Sequence, residues 1–144
     1  MCYTIEKMQR KEAVMKNQQK ILLFHVDREK QAQLSKLCLS MGIQMIFIEK
    51  KQYGETLGAL AKIQGIPLSN TPDTGAEFPA EMMVFSGMDS QALDRFLKKY
   101  RELQIAPIAL KAILTPNNIF WNPRQLYGEL QKEHAAFQKQ PFER

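Results

Sequence analysis

One pattern occurs twice in this chain, and it leaves few folds open. Ile21-Leu22-Leu23-Phe24-His25-Val26 is a continuous apolar run, the mark of a strand covered on both faces. Asp27 follows where a helix N-cap belongs. Leu34, Leu37, Cys38 and Met41 then recur at i, i+3, i+4 and i+7, one apolar stripe, and Gly42 supplies a C-terminal stop. Ile43 to Ile48 is apolar again, broken only by Gln44. About 61 residues later the order returns, with Phe24 matching Phe85 and Ile43 matching Ile105 within one residue. Met82 to Phe85 reads as a strand ending at Ser86-Gly87. Asp89 is the next N-cap, with Met88 and Leu93 placed as a hydrophobic staple. Leu93, Phe96, Leu97 and Tyr100 form the clearest helical stripe, Pro107 breaks it, and Ile108 to Leu114 is a fourth strand.

Two strand–helix–strand units in series predict an α/β fold. The expected form is a small doubly wound, mainly parallel four-stranded sheet in the order 2-1-3-4, with helices on both faces. The alternative is a ferredoxin-like α+β sandwich with an inserted helix between its central strands. Tyr53, Leu57, Leu60 and Ala61 supply that helix stripe, weakened by Gly54 and Gly58. Gln64 to Ala80 holds three prolines and two glycines and reads as a loop, either a lid or a long crossover.

At 144 residues, with 44% hydrophobic and 24% charged residues, the chain has the make-up of one ordinary globular domain. Its two cysteines, Cys2 and Cys38, are not a disulfide framework, and Cys38 falls on a helical stripe as a buried thiol would. No apolar run approaches a membrane span and the N-terminus is polar, so the expected location is the cytoplasm. Of the net charge of +5, +3 comes from the first 20 residues, where Lys7, Arg10, Lys11, Lys16 and Lys20 outnumber Glu6 and Glu12. Residues 1–19 are therefore read as a basic extension and residues 20–144 as the single α/β domain. Such an extension adds at most weak, salt-sensitive affinity for polyanions.

Leu110 to Trp121, L-K-A-I-L-T-P-N-N-I-F-W, is the most distinctive stretch. Thr115-Pro116 and Asn122-Pro123 each put a capping residue before a proline, and Gln125 stands at capping-box spacing from Asn122. Leu126, Leu130, His134 and Phe137 then line one face of a last helix. With M-M-V-F-S-G-M-D, L-D-R-F-L and L-x-x-E-L-x-x-E-H, this stretch resembles a bacterial domain-of-unknown-function family, number 3783, over about Met82 to His134. The resemblance implies a shared domain and no reaction. Its motif positions here are Gly87, Lys111, Thr115, Asn118, Trp121, Glu133 and His134.

In open α/β sheets ligands bind beyond the carboxyl ends of the strands. A parallel sheet places Asp27, Glu49, Ser86, Asp89, Thr115, Asn117 and Asn118 along that rim. The candidate ligand-binding set is Asp27, Ser86, Gly87, Lys111, Thr115, Asn117, Asn118 and Trp121. Each rim residue also serves as a cap or turn former, which is the structural reading of the same positions. Lys111, inside an apolar strand, either pairs with Glu133 or anchors a ligand. His25 reads as a packed strand-end residue and His134 as a hydrogen-bonded residue at the core edge. No phosphate-binding loop, nucleophile elbow, metal-ligand cluster or receiver-type acid set is present. The expectation is a non-catalytic cytoplasmic α/β binding or interaction module, with no catalytic residue, metal or cofactor assigned. The alternatives are a protein or enzyme binding a small anionic ligand at the rim, and a weak nucleic-acid binder using the basic segment. The partners left open are another protein, a second copy of the chain or a small anion. A membrane is excluded and nucleic acid disfavoured.

Overall fold

The structure, a computed structural model, describes residues 19–139, with side chains through residue 134. The expected extension over residues 1–19 lies outside the described residues, apart from Gln19. Strand β1 spans Lys20–Phe24, helix α1 Arg28–Met41 and strand β2 Gln44–Ile48. A single 3-10 turn (Lys50–Gln52) and the four-residue helix α2 (Leu57–Leu60) follow. Strand β3 is Met82–Ser86, helix α3 Ser90–Glu102, strand β4 Leu110–Ile113 and helix α4 Pro123–Lys139.

The four strands form one sheet in the order β2-β1-β3-β4. The order and the α/β class agree with the sequence reading, but the sheet is mixed. β1 pairs with β2 in parallel (Leu22 beside Ile46), and β3 with β4 in parallel (Met83 beside Lys111). The central pair is antiparallel, with Leu22 opposite Val84 and Lys20 opposite Ser86. The fold is two parallel βαβ units set side by side and head to tail. In the ferredoxin-like alternative a third strand separates the two strands of each unit, whereas here they are neighbours.

The two units match more closely than their sequences show, at a spacing of 62 residues. His25 and Gly87 both take left-handed backbone angles, φ 61° and 72°. Asp27 and Asp89 cap α1 and α3, accepting from the Glu29 and Ala92 amides. Leu34 and Phe96, Cys38 and Tyr100, and Ile43 and Ile105 occupy equivalent core positions. The Phe24–Phe85 match is one residue out. Phe85 faces the long helices, as Leu23 does, while Phe24 points to the opposite side. A one-residue shift reverses every side chain of a strand, so identity of residue type is a poor guide to register.

Helices α1 and α3 cover one face of the sheet. Ile21, Leu23, Met83 and Phe85 pack there against Leu34, Leu37, Cys38, Phe96 and Tyr100. The other face is covered by the connection from β2 to β3 and by α4, which press Tyr53, Leu57, Leu60, Phe78, Leu126 and Tyr127 onto Leu22, Phe24, Met82 and Val84. Because β1 and β3 are antiparallel, β3 starts at the end of the sheet where β2 stops. The connection is therefore no crossover: it runs down the sheet face to Ala61, where Lys20 Nζ donates to the Ala61 carbonyl at 2.6 Å, and comes back. Two glycines permit that tight path. A Cβ on Gly54 would lie 2.3 Å from the Thr71 carbonyl oxygen, and one on Gly58 2.7–3.0 Å from Ile66 and Ile119. These close approaches, which only glycine allows, also explain why the stripe from Tyr53 to Ala61 yields only a single turn of helix.

Phe96 is fully buried between the sheet and α1, with an edge-on contact to Phe85 at 5.5 Å, whereas Lys98 on the same helix is exposed. Phe96→Ala is expected to cost ~3–5 kcal/mol and Lys98→Ala to stay within about 0.5 kcal/mol, read from urea unfolding midpoints. Equal losses at the two positions would contradict the packing described.

Candidate functional site

The antiparallel centre splits the predicted rim. Asp27 and Glu49 follow β1 and β2 at one end of the sheet, while Ser86, Gly87, Asp89, Thr115, Asn117 and Asn118 follow β3 and β4 at the other. A site holding all of them is excluded by the strand directions.

At the β3–β4 end a groove of about 760 Å³ brings together Ser86, Gly87, Asp89 and Thr115. Its remaining walls are mostly apolar: Met88, Ile113, Leu114, Ile119, Phe120 and Ile63. Phe120 is 69% exposed and Ile113 45% exposed. The turn from Thr115 to Trp121 forms one side and is closed on itself. The Asn118 side chain accepts from the Thr115 amide at 2.9 Å and donates to the Ile113 carbonyl at 3.1 Å. Thr115 Oγ1 accepts from the Asn117 amide at 3.2 Å. The same turn caps α2, since the Leu57 and Gly58 amides donate to the Trp121 and Ile119 carbonyls, each at 2.8 Å. These are free N–H groups at a helix start, which explains why a turn 60 residues downstream is needed to hold so short a helix. The Asn122–Gln125 capping box forms in both directions, at 3.1 and 2.8 Å, and starts α4.

The polar groups in the groove are largely engaged by the backbone. Asp89 accepts from the Ala92 amide at 2.8 Å, and Thr115 and Asn118 hold the turn. Asn117 is exposed and does not border the groove. Lys111 does not reach it either: as the register partner of Met83 it lies on the helix face, where Nζ donates to the Ile108 carbonyl at 3.1 Å. Among the described residues Lys111 makes no ion pair with Glu133, although the two border one shallow depression with Leu130 and His134. His134 is exposed there, not at the core edge. Trp121 is half-buried and faces away from the groove, beside Arg124 and Gln125.

A residue that sequence reasoning passed over is Lys20. Its side chain is buried directly opposite Ser86, and burial followed by the nearby Lys62 charge lowers its pKa below the ordinary lysine value. A lysine opening an apolar run was the only signal available for it. Cys38 is buried and inert, its thiol pushed up to about 12 by burial.

The opposite end of the sheet is closed by the chain itself. Phe78 stacks between Tyr53 and Tyr127 at 4.4 and 4.3 Å, with Phe24 at 6.5 Å. The Arg124 guanidinium lies 5.5 Å from both the Tyr53 and Phe78 ring centres and grips Asp73 with two hydrogen bonds of 2.6 and 2.7 Å. Lys50 adds a contact to Asp73 at 3.2 Å. Tyr53 donates to Glu77 at 2.6 Å, and buried Glu55 accepts from the Ser69 amide and hydroxyl. Residues 64–80 are therefore fastened along their length. His25, expected to be packed, is half-exposed with Nδ1 3.6 Å from Glu77. Among the described residues no group of histidine, cysteine and carboxylate side chains could hold a metal ion, and no helix is long and apolar enough to cross a membrane.

The Arg124 hydrogen bonds hold the Asp73 carboxyl at about 2, below its ordinary 3.8, with Lys50 assisting. A carboxyl with a depressed folded pKa stabilises the fold above the unfolded value and loses that contribution as pH falls through the folded one. Thermal stability should therefore fall between about pH 4 and pH 2, and Asp73→Asn should flatten that part of the profile. An unchanged profile in the variant would mean that Asp73 is not the group responsible.

Neither a curated protein nor a solved structure matches the chain. Residues 81–137, which comprise the second βαβ unit and most of α4, match the family described as Domain of unknown function (DUF3783), so this part of the chain is similar to that family, as its L-K-A-I-L-T-P-N-N turn implied.

Proposed function

We propose that this protein is a non-catalytic cytoplasmic interaction module that binds a partner protein through the groove at the β3–β4 end of the sheet. The observation that carries the reading is the character of the groove. Six of its walls are large apolar side chains, and two of these, Ile113 at the end of β4 and Phe120 in the tied turn that follows, stand exposed. An apolar patch held on a fixed scaffold is a common mark of a protein-binding surface. Of the polar groups present, Asp89 is committed to capping α3 and Thr115 to closing the turn, and among the described residues no histidine or cysteine borders the groove. The anionic-ligand alternative gains less support, because among the described residues the charged side chain in the lining is Asp89, and Lys111 lies on another face.

A peptide-display library panned against the full chain tests the proposal. The expected result is an enriched group of apolar sequences whose binding weakens at least 10-fold in Ile113→Lys, a substitution at an exposed position that leaves the core intact. Failure to enrich any sequence, together with a higher melting temperature in phosphate or nucleotides, would favour the anionic-ligand alternative.

A further inference from the structure

The near-symmetry of the two βαβ units identifies the chemistry of the groove's occupant. This inference rests on the interaction-module reading above. At the 62-residue spacing, Ser86, Gly87, Met88 and Asp89 in the groove correspond to Phe24, His25, Val26 and Asp27. The paired registers extend the correspondence to the second strand of each unit, where Leu114 and Thr115 correspond to Ile48 and Glu49. The same corner of the fold is thus built twice.

The first corner is already filled, and the structure shows with what. Phe78 is borne on an irregular segment, Gly75-Ala76-Glu77-Phe78-Pro79, that is neither helix nor strand. Its ring is 4% exposed, lies against Phe24 and stacks on Tyr53. Ile48 belongs to the same cluster. In the second corner the residue equivalent to Phe24 is Ser86, so the buried ring of the first corner is replaced by a hydroxymethyl group. Ile119, Phe120 and Ile63 border the space that results. Phe120 remains 69% exposed, which leaves a large apolar face for an incoming ring to cover.

We infer that the groove binds an aromatic side chain presented on a loop or tail of a partner protein, as the first corner binds Phe78 of this chain. The ring would lie against Leu114, Ile119 and Phe120, and the backbone on either side would pass the exposed edge near Thr115.

The chain itself supplies the probe. A synthetic peptide of residues 74–80, T-G-A-E-F-P-A, is titrated into the isotope-labelled full chain while the backbone amide resonances are followed. The expected result is saturable shifts at Gly87, Thr115 and Phe120, abolished when the peptide carries Phe78→Ala. Phe120→Ala in the chain, which removes the exposed ring of the groove and leaves the core intact, should weaken binding at least 5-fold. Absence of shifts at the groove overturns the inference, as do shifts centred on Phe24 and Tyr53, which would mean that the peptide competes for the first corner. Equal binding of the Phe78→Ala peptide overturns it too. If the library experiment enriches aliphatic sequences without aromatic residues that still respond to Ile113→Lys, the aromatic inference fails and the groove reading stands. Sedimentation of the chain alone covers the remaining occupant. A concentration-dependent dimer abolished by Phe120→Ala would assign the groove to a second copy and overturn the partner inference.

Discussion

The antiparallel pairing of β1 with β3 is the constraint on which the rest of the structure depends. It places the two βαβ units head to tail, so that α1 and α3 share one face and shield Phe85, Phe96 and Tyr100 together. It also returns the chain to the end of the sheet it left, which leaves the other face without a crossover helix. The long connection must cover that face with irregular backbone. Buried irregular backbone has to satisfy its own polar groups, and here side chains do so. Glu55 takes the Ser69 amide, Glu77 the Phe78 amide, and the Arg124 side chain both the Asp73 carboxylate and the Ala76 carbonyl.

The network around Arg124 is more than a set of ion pairs. Asp73 is nearly buried while Arg124 retains about a third of its side-chain exposure, so the pair is not isolated in the interior. The guanidinium is planar, and it meets a carboxylate edge-on while its face covers Tyr53 and Phe78. Lysine could not combine these roles, because a point charge has neither the fork nor the face. A single residue on α4 thereby fixes the connection, the aromatic stack and the last helix to one another.

The same antiparallel pairing separates the two ends of the molecule chemically. One end is closed by aromatic stacking and charge, the other is open and apolar. Strand directions alone account for this, since each unit contributes one carboxyl end, and the two ends point opposite ways. The matching DUF3783 segment begins at residue 81 and so contains β3, β4 and the closed turn, while Gln19 and Ile63 on the groove wall come from outside it.

What the sequence by itself determined is what depends on neighbours along the chain. Asp27, Asp89 and Asn122 are caps as their spacing implied, Gly42 ends α1 in the left-handed conformation, and the stripes of α1 and α3 pack on the core. The strand order was also legible, because consecutive βαβ units pair locally. The direction of β3 was not, because an apolar run reads the same in either sense, and the deciding event is how residues 49–81 pack on the sheet. That packing relies on contacts between distant positions, such as Arg124 with Asp73, Glu55 with Ser69 and Lys20 with Ala61, which leave no periodic trace. The candidate site divides in the same way. Ser86, Gly87 and Thr115 were recognisable because each ends or follows a strand. The exclusion of Asp27, Lys111 and Trp121 from their company was decided only by tertiary structure, through strand direction, pleat and turn, which set where a side chain points.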